Sequence, residues 1–244
     1  MPDPFVSIVV PAYNESARIQ ATLESLVSFL CSHTFSWEVV IADDGSTDAT
    51  AAIVSDFAAR TPGVRLLSLP HRGKGWAVRH GILSASGTYR FICDADLSMP
   101  VEQLLRFLPA VPGDHSGSAA ADVLIGSRAL PESCRFGEPL SRYLMSRLYH
   151  FLVALLVLPG IQDTQCGFKC FRGEVVRSLF ERLTVHGFAF DVEVLFLAAQ
   201  SGLRIEQVGI DWHYQKQSKV RLLRDSLTMT FDLFMIRWRH RSRR

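Results

Sequence analysis

Two aspartates with one residue between them, Asp94 and Asp96, close the apolar run in RFICDADLSMP (90–100). Like charges at the end of a buried strand repel, and desolvation raises their cost unless a cation faces them. Aspartate-rich turns are common, so the segment by itself reads either as a solvated turn or as a seat for a divalent cation. Hard Mg²⁺ or Mn²⁺ takes carboxylate oxygens and completes its shell with phosphate oxygens; Ser98 is then a candidate minor ligand. Three more segments follow apolar runs and bring carboxylates, cations and glycines: PAYNE (11–15), ADDGSTD (42–48) and PHRGKG (70–75). Asp43 and Asp44 have no use inside a strand. A carboxylate there can accept hydrogen bonds from a base edge or a ribose, while Gly45 with Ser46 or Thr47 also suits a turn and a helix cap. Lys74 and Arg79 can meet a diphosphate, or can be solvated helix charges. Their segment, HRGKGWAVRHG (71–81), lacks the spacing of a phosphate-binding loop and of a dinucleotide turn.

The elements that must carry these residues alternate. VSIVV (6–10), WEVVIA (37–42), VRLLSL (64–69) and YRFIC (89–93) read as strands. Helices are expected from Glu15 to about Cys31, Thr47 to Arg60 and Gly75 to Ala85. The strands are continuous apolar runs, as in a parallel sheet covered on both faces. A βαβ series of this kind predicts an open, doubly wound α/β sheet. In such sheets ligands bind beyond the carboxyl ends of the strands, where all four polar segments fall. One turn explains one cluster; four strand ends aimed at one crevice make a site. PGDHSGSAAA (112–121) reads as a loop. After DVLIGSR (122–128), helical patterns dominate at 138–158, 173–183 and 188–201, then a strand at 204–214 and a basic amphipathic helix. The expected division is one catalytic domain, 1–215, and a C-terminal interface element, 216–244.

The chain has 244 residues, 48% of them hydrophobic, enough for one well-buried domain. The longest apolar run, FLVALLVL (151–158), ends at Pro159 and Gly160, well short of the roughly 20 residues that span a bilayer. No signal peptide precedes the first strand. Five scattered cysteines, without a zinc-site spacing, read as reduced structural thiols of an intracellular protein. The net charge is +2, but from Lys216 onward nine lysines and arginines face Asp225 and Asp232, a net of +7 against −5 for the rest. That asymmetry points to an anionic partner. KVRLLRDSLTMTFDLFMIRWRHRSRR (219–244) intersperses apolar residues with arginines, which suits a membrane surface; the alternative is a packed helix with a solvated basic end. One short basic cluster without a binding fold is no nucleic-acid interface.

Taken in order, SIVVPAYNE, ADDGSTD, RGKGWAVRHG and DADLS resemble the family 2 inverting glycosyltransferases of the GT-A fold. GSR (126–128), DTQCGFKCF (163–171) and FAFDVEVL (188–195) resemble the branch that glycosylates polyprenyl phosphates, dolichyl-phosphate glucosyltransferases and mannosyltransferases among them. The likeness spans about residues 5 to 240. It implies a GT-A fold with a C-terminal helical elaboration, a metal-dependent transfer of a hexose from a nucleotide sugar donor, UDP-glucose favoured over GDP-mannose, and a polyprenyl phosphate acceptor. Pro11, Tyr13, Glu15 and Asp44 would hold the base and ribose, with Lys74 beside them. Asp94 and Asp96 would bind the metal and diphosphate; Arg128 and Lys219 would face phosphates, one of them the acceptor's. Gln165 and Asp191 would line the sugar side, with Arg79 assigned to the phosphates. Asp94, Asp96, Arg128 and Asp191 form the expected catalytic set. A phosphate monoester is anionic at neutral pH and attacks without a strong base, so Asp191 need not serve as one. The family's eukaryotic glucosyltransferases usually start with a membrane anchor and this chain starts at its first strand, which implies a bacterial or archaeal relative. The expected location is cytoplasmic, peripheral on the inner face of the membrane. Two other readings are a sugar-nucleotide pyrophosphorylase, disfavoured because PAYNE stands where a glycine-rich signature belongs, and a non-catalytic nucleotide-sugar binder.

Overall fold

The computed structural model describes residues 3–109, 121–215 and 222–241, the side chains of 222–227 excepted. Its strands in chain order are β1 (Val6–Ala12), β2 (Trp37–Asp43), β3 (Val64–Ser68), β4 (Tyr89–Ile92), β5 (Val123–Ser127), β6 (Cys134–Phe136), β7 (Lys169–Arg172), β8 (Ile205–Gly209) and β9 (Asp211–His213). The helices are α1 (Ile19–Cys31), α2 (Thr50–Arg60), α3 (Lys74–Ser84), α4 (Leu140–Leu156), α5 (Gly173–Phe180), α6 (Phe190–Gln200) and α7 (Leu222–Arg239), with a 3-10 helix at Val101–Phe107. Seven strands form one sheet in the order β3-β2-β1-β4-β7-β5-β8; β6 and β9 form a separate parallel pair. All pairs in the large sheet are parallel except those of β7, which runs against both β4 and β5.

Both faces of the sheet are covered. Val9, Val40 and Ile92 point to one side and pack with α3, α5, α6 and residues of α4 and α7. Ile8, Val10, Ile41 and Phe91 point to the other, against α1, α2 and the 3-10 helix. Strands buried on two faces need apolar residues at every position, which is why they read as runs.

Several boundaries moved. α1 begins at Ile19 because residues 15–18 form a turn in which the Arg18 and Ile19 amides donate to the Glu15 carbonyl. α2 begins at Thr50, so neither Ser46 nor Thr47 caps it; Asp48 accepts from the Thr50 amide instead. The expected strand at 204–214 breaks at Ile210 into β8 and β9. All five cysteines are free; Cys31 and Cys134 are exposed and Cys93, Cys166 and Cys170 are buried. Leu233 and Ile236 of α7 are fully buried in the core shared with α3 and α6. The C-terminal helix is therefore packed into the domain, not hung from it. No described helix is long and apolar enough to cross a membrane.

Candidate active site

The strand order reverses between β1 and β4: the chain winds outward through β2 and β3, then returns to the other side of β1. The last β1–β4 pair is Val9 with Ile92, and the Cys93 amide still donates to the Val9 carbonyl. Pro11, with no N–H to offer, lies past that pair, where the two strands open into a crevice. Asp94 enters it just beyond β4. Lys74, the first residue of α3, places Nζ 2.6 Å from Asp94 Oδ1. Gly167 backs the same carboxylate so closely that a Cβ there would collide with Asp94 Oδ2. A small cavity is lined by Asp94, Asp96, Ser98, Gly167 and Trp212.

The charges are strongly coupled. Burial and the neighbouring Asp94 push the Asp96 carboxyl above its ordinary value, partly offset by Ser98, whose amide donates to Asp96 Oδ1 at 3.0 Å. Burial works against the Lys74 ammonium, but Asp94, Asp191 and Asp96 outweigh it and hold its pKa above the usual lysine range. Asp191, in the first turn of α6, is buried and bonded to Lys169 Nζ at 2.5 Å. Its carboxyl is raised by burial in spite of Lys169 and Lys74. Lys169 lies inside β7 with no exposed surface and also donates to the Cys166 carbonyl. Three carboxylates and two ammonium groups thus share one low-dielectric crevice, a negative balance that suits an added cation.

The β1 and β2 ends form the other wall. Tyr13 stacks on His71 with ring centroids 4.1 Å apart, a flat surface of the kind a base covers. Asn14, at φ 53°, accepts from the Thr47 amide at 2.8 Å through Oδ1 and donates its own amide to Ser46 Oγ at 2.8 Å. It brackets two strand-end loops, a role the sequence reading missed although asparagine is the residue most tolerant of that backbone region after glycine. Glu15 Oε2 pairs with Arg18 Nε at 2.8 Å. Asp44 is tied into the neighbouring loop. It is 3% exposed and accepts from the Arg72 and Gly73 amides, each at 2.9 Å, with His71 Nδ1 2.7 Å away. Its carboxylate shapes the 71–73 loop that delivers Lys74. Gly73, at φ 116°, has the His186 carbonyl where a Cβ would sit, and that carbonyl accepts from the Gly75 amide to start α3.

Arg128, just beyond β5, donates from Nε and Nη2 to the two oxygens of Asp163 at 2.6 and 2.9 Å and lies over the Trp212 ring. Only Nη1 keeps no partner among the described residues. Gln165 is next to this pair, its amide 3.3 Å from Asp163 Oδ1 and its Nε2 buried without a partner among the described residues. Arg79 is a correction: it donates to the Phe180 and Glu181 carbonyls at 2.8 and 3.1 Å and so caps α5, away from the crevice. α3 is long enough that its sixth residue points elsewhere than its first. Lys219 lies outside the described residues. Sequence reasoning also missed Lys169 and Asp163 as members of the charge network; a lysine and an aspartate flanking TQCGF were the available signal.

Among the described residues no three acidic, histidine or cysteine side chains converge as a metal cage. Two hard carboxylates suit Mg²⁺ or Mn²⁺ when substrate phosphates supply the other oxygens, and Asp94, Asp96 and the Ser98 edge fit that demand.

An open α/β sheet with a carboxylate pair at its switch point is the architecture of GT-A glycosyltransferases. The chain matches glucosyl-3-phosphoglycerate synthase from Mycobacterium tuberculosis, crystallised with Mn²⁺, UDP and glucosyl-3-phosphoglycerate, at a TM-score of 0.65 over 96% of this chain and 78% of that one, with 21% identity. The chain belongs to glycosyl transferase family 2, whose profile covers residues 7–180. Among curated relatives, dolichyl-phosphate β-glucosyltransferase from Drosophila melanogaster is 36% identical over 95% of this chain and 74% of that protein. The Saccharomyces cerevisiae enzyme of the same name is 35% identical over 96% and 74%, and the human one 32% over 96% and 75%. The protein is a glycosyltransferase.

Proposed function

We propose that the protein moves glucose from UDP-glucose to a polyprenyl phosphate of the dolichyl type, by one in-line displacement with inversion, using Mg²⁺ or Mn²⁺. The observation that carries this reading is the Asp94–Asp96 pair at the β1/β4 opening with Lys74 against it. This set is short of protein ligands and complete only with diphosphate oxygens. The relatives of dolichyl-phosphate glucosyltransferase name across nearly the whole chain support the acceptor class. When bound, the dication supplies charge neutralisation on the leaving diphosphate.

The chain's own residues do the rest. The Tyr13–His71 stack receives the base, and the Asp44-shaped loop brings Lys74 to the phosphates. Arg128, held by Asp163, offers Nη1 to an acceptor phosphate, so two anions are brought together by fixed cations. Asp191 is already bonded to Lys169 and lines the site as a fixed charge; a phosphate nucleophile needs no base from it.

The acceptor's lipid also has a docking face. On α4, Leu140, Leu144, Leu148, Phe151 and Leu155 are each more than half exposed, and on α7 so are Phe231, Phe234 and Trp238. α4 and α7 pack side by side, and exposed Arg147 and Arg241 flank them. Such a face with basic neighbours seats in a membrane interface, which supports peripheral attachment at the cytoplasmic face. The testing experiment is an incubation with UDP- and GDP-sugars, Mn²⁺ or Mg²⁺ and a short polyprenyl phosphate, read as sugar entering the organic phase. Consumption of UDP-glucose alone supports the reading; GDP-mannose as the better donor replaces it with a mannosyl transfer.

A further inference from the structure

All six buried side-chain atoms that lack a hydrogen-bond partner among the described residues sit on three short segments: Trp76, Tyr149 with His150, and Thr164 with Gln165. An unpaired buried polar group costs about 1–3 kcal/mol, so a cluster of them marks a place where something other than stability sets the residue type. His150 is the most unusual. It lies on the inner side of α4, 8% exposed, between the outward-facing Leu148 and Phe151. Its Nε2 is 3.2 Å from Asp163 Oδ1, yet neither ring nitrogen makes a well-aligned hydrogen bond. Asp163, with no exposed surface, is the hub of the neighbourhood: it takes the Arg128 amide at 3.0 Å, the Arg128 Nε and Nη2 bonds, and the Gln165 amide. Burial alone would raise the Asp163 carboxyl; Arg128 first and His150 after it hold it well below the ordinary carboxylate range.

We propose that His150 is a positioning residue: it contacts Asp163 Oδ1, the oxygen that also accepts from Arg128 Nη2, and thereby aims the Arg128 guanidinium at the acceptor phosphate. The inference rests on the reading of Arg128 as an acceptor-phosphate cation. It gives α4 two duties. The outer face carries an apolar stripe, and the inner face carries a side chain that touches the carboxylate orienting the arginine. The Arg128 and Gln165 amides anchor the carboxylate on the backbone side, and the ring adds a side-chain contact on Oδ1 that further limits rotation about the Cβ–Cγ bond, a rotation that would carry the bidentate guanidinium with it. A merely space-filling ring would need no nitrogen at this point, and leucine or phenylalanine would fill it without the unpaired donors.

The test uses the full chain with UDP-glucose, Mn²⁺ and a short, water-soluble polyprenyl phosphate, so that membrane docking is not read. Three variants are compared: His150→Phe, which keeps a ring but no nitrogen; His150→Gln, which restores an N–H; and Arg128→Lys. The expected result is a rise in acceptor KM of about fivefold or more for His150→Phe with the donor KM unchanged, partial recovery in His150→Gln, and an unfolding temperature within a few degrees of the parent. If Arg128→Lys raises the acceptor KM but His150→Phe does not, His150 has no positioning role and the inference fails while the reading of Arg128 stands. If Arg128→Lys leaves the acceptor KM unchanged, both fail. A His150→Phe protein in which donor and acceptor KM change together with a fall in unfolding temperature also overturns the inference, since that is the signature of a packing residue.

Discussion

Lys74 Nζ sits 2.6 Å from Asp94 Oδ1, so the first residue of α3 closes the carboxylate pair that follows β4. The two residues are 20 positions apart in sequence, Lys74 at the start of α3 and Asp94 just past the end of β4. Their contact depends on the 71–73 loop that Asp44 shapes and on the His186 carbonyl that starts α3. In the proposed transfer, a cation held there would meet the diphosphate without reorganising.

Replacing Lys74 with methionine keeps the length of the side chain and removes its charge. The expected effect is a loss of kcat/KM of roughly 10²-fold, in line with deletion of one preorganised electrostatic group. Steady-state kinetics at saturating acceptor checks it; a change under threefold would show that the lysine is only a structural partner of Asp94.

Asp96, a proposed metal ligand, is a carboxylate whose charge the fold disfavours. Its carboxyl is raised by burial and by Asp94. A raised carboxyl contributes stability that is present below the ordinary aspartate pKa and is lost as pH rises through the folded-state value, so at neutral pH its charge weakens the fold. Asp96→Asn is therefore expected to gain roughly 0.5–2 kcal/mol of stability at pH 7 while transfer is abolished, the usual trade at a functional site. The gain should shrink as the pH falls below the carboxyl's folded-state value. Denaturant unfolding at pH 7 and pH 4 measures it.

Glu193 behaves in the opposite sense. It is fully buried in α6 and accepts from the Thr184 and Val185 amides, with His240 Nε2 of the C-terminal segment 2.7 Å away. Burial opposes its charge, but His240, Thr184 and the amides pull its carboxyl below the ordinary value. A lowered carboxyl stabilises above the ordinary glutamate pKa, and the benefit disappears as the pH falls through the folded-state value. Glu193→Gln should cost about 2 kcal/mol at pH 7 and give a shallower loss of stability on acidification than the parent. An unchanged acid limb in thermal melts would contradict this.

Much of this was legible before any coordinates. The four parallel strands β1 to β4 read clearly because strands covered on both faces are apolar throughout, and the Asp94–Asp96 pair stood out because carboxylates have no use at a buried strand end. β7 did not read as a strand: it has four residues, opens with Lys169 and runs against its neighbours. Its lysine is tolerated only because Asp191, 22 positions on, meets it, a partnership that local pattern does not reveal. Arg79 misled for the reverse reason: near a glycine-rich loop it reads as a phosphate contact, yet one and a half turns of α3 carry it to the α5 terminus.

The proposed membrane face is tested better by surface changes than by truncation, because Leu233 and Ile236 of α7 belong to the core. Phe231→Ser, Phe234→Ser and Trp238→Ser together should weaken sedimentation with anionic liposomes about tenfold or more, given the roughly 1.5–3 kcal/mol that each buried large apolar side chain contributes. The unfolding temperature should be nearly unchanged. Binding equal to the parent's would remove α7 from the docking surface.

The most direct measurement is transfer of labelled glucose from UDP-glucose to a polyprenyl phosphate, with Mn²⁺ or Mg²⁺ and with chelator, for the parent chain and for Asp96→Asn. The expected result is glucosyl phospholipid formed by the parent only when the metal is present, and none above background with the folded variant. Transfer by Asp96→Asn at the parent's rate, or transfer undiminished by chelator, would contradict the metal-assisted glycosyl transfer assigned to the β1/β4 crevice.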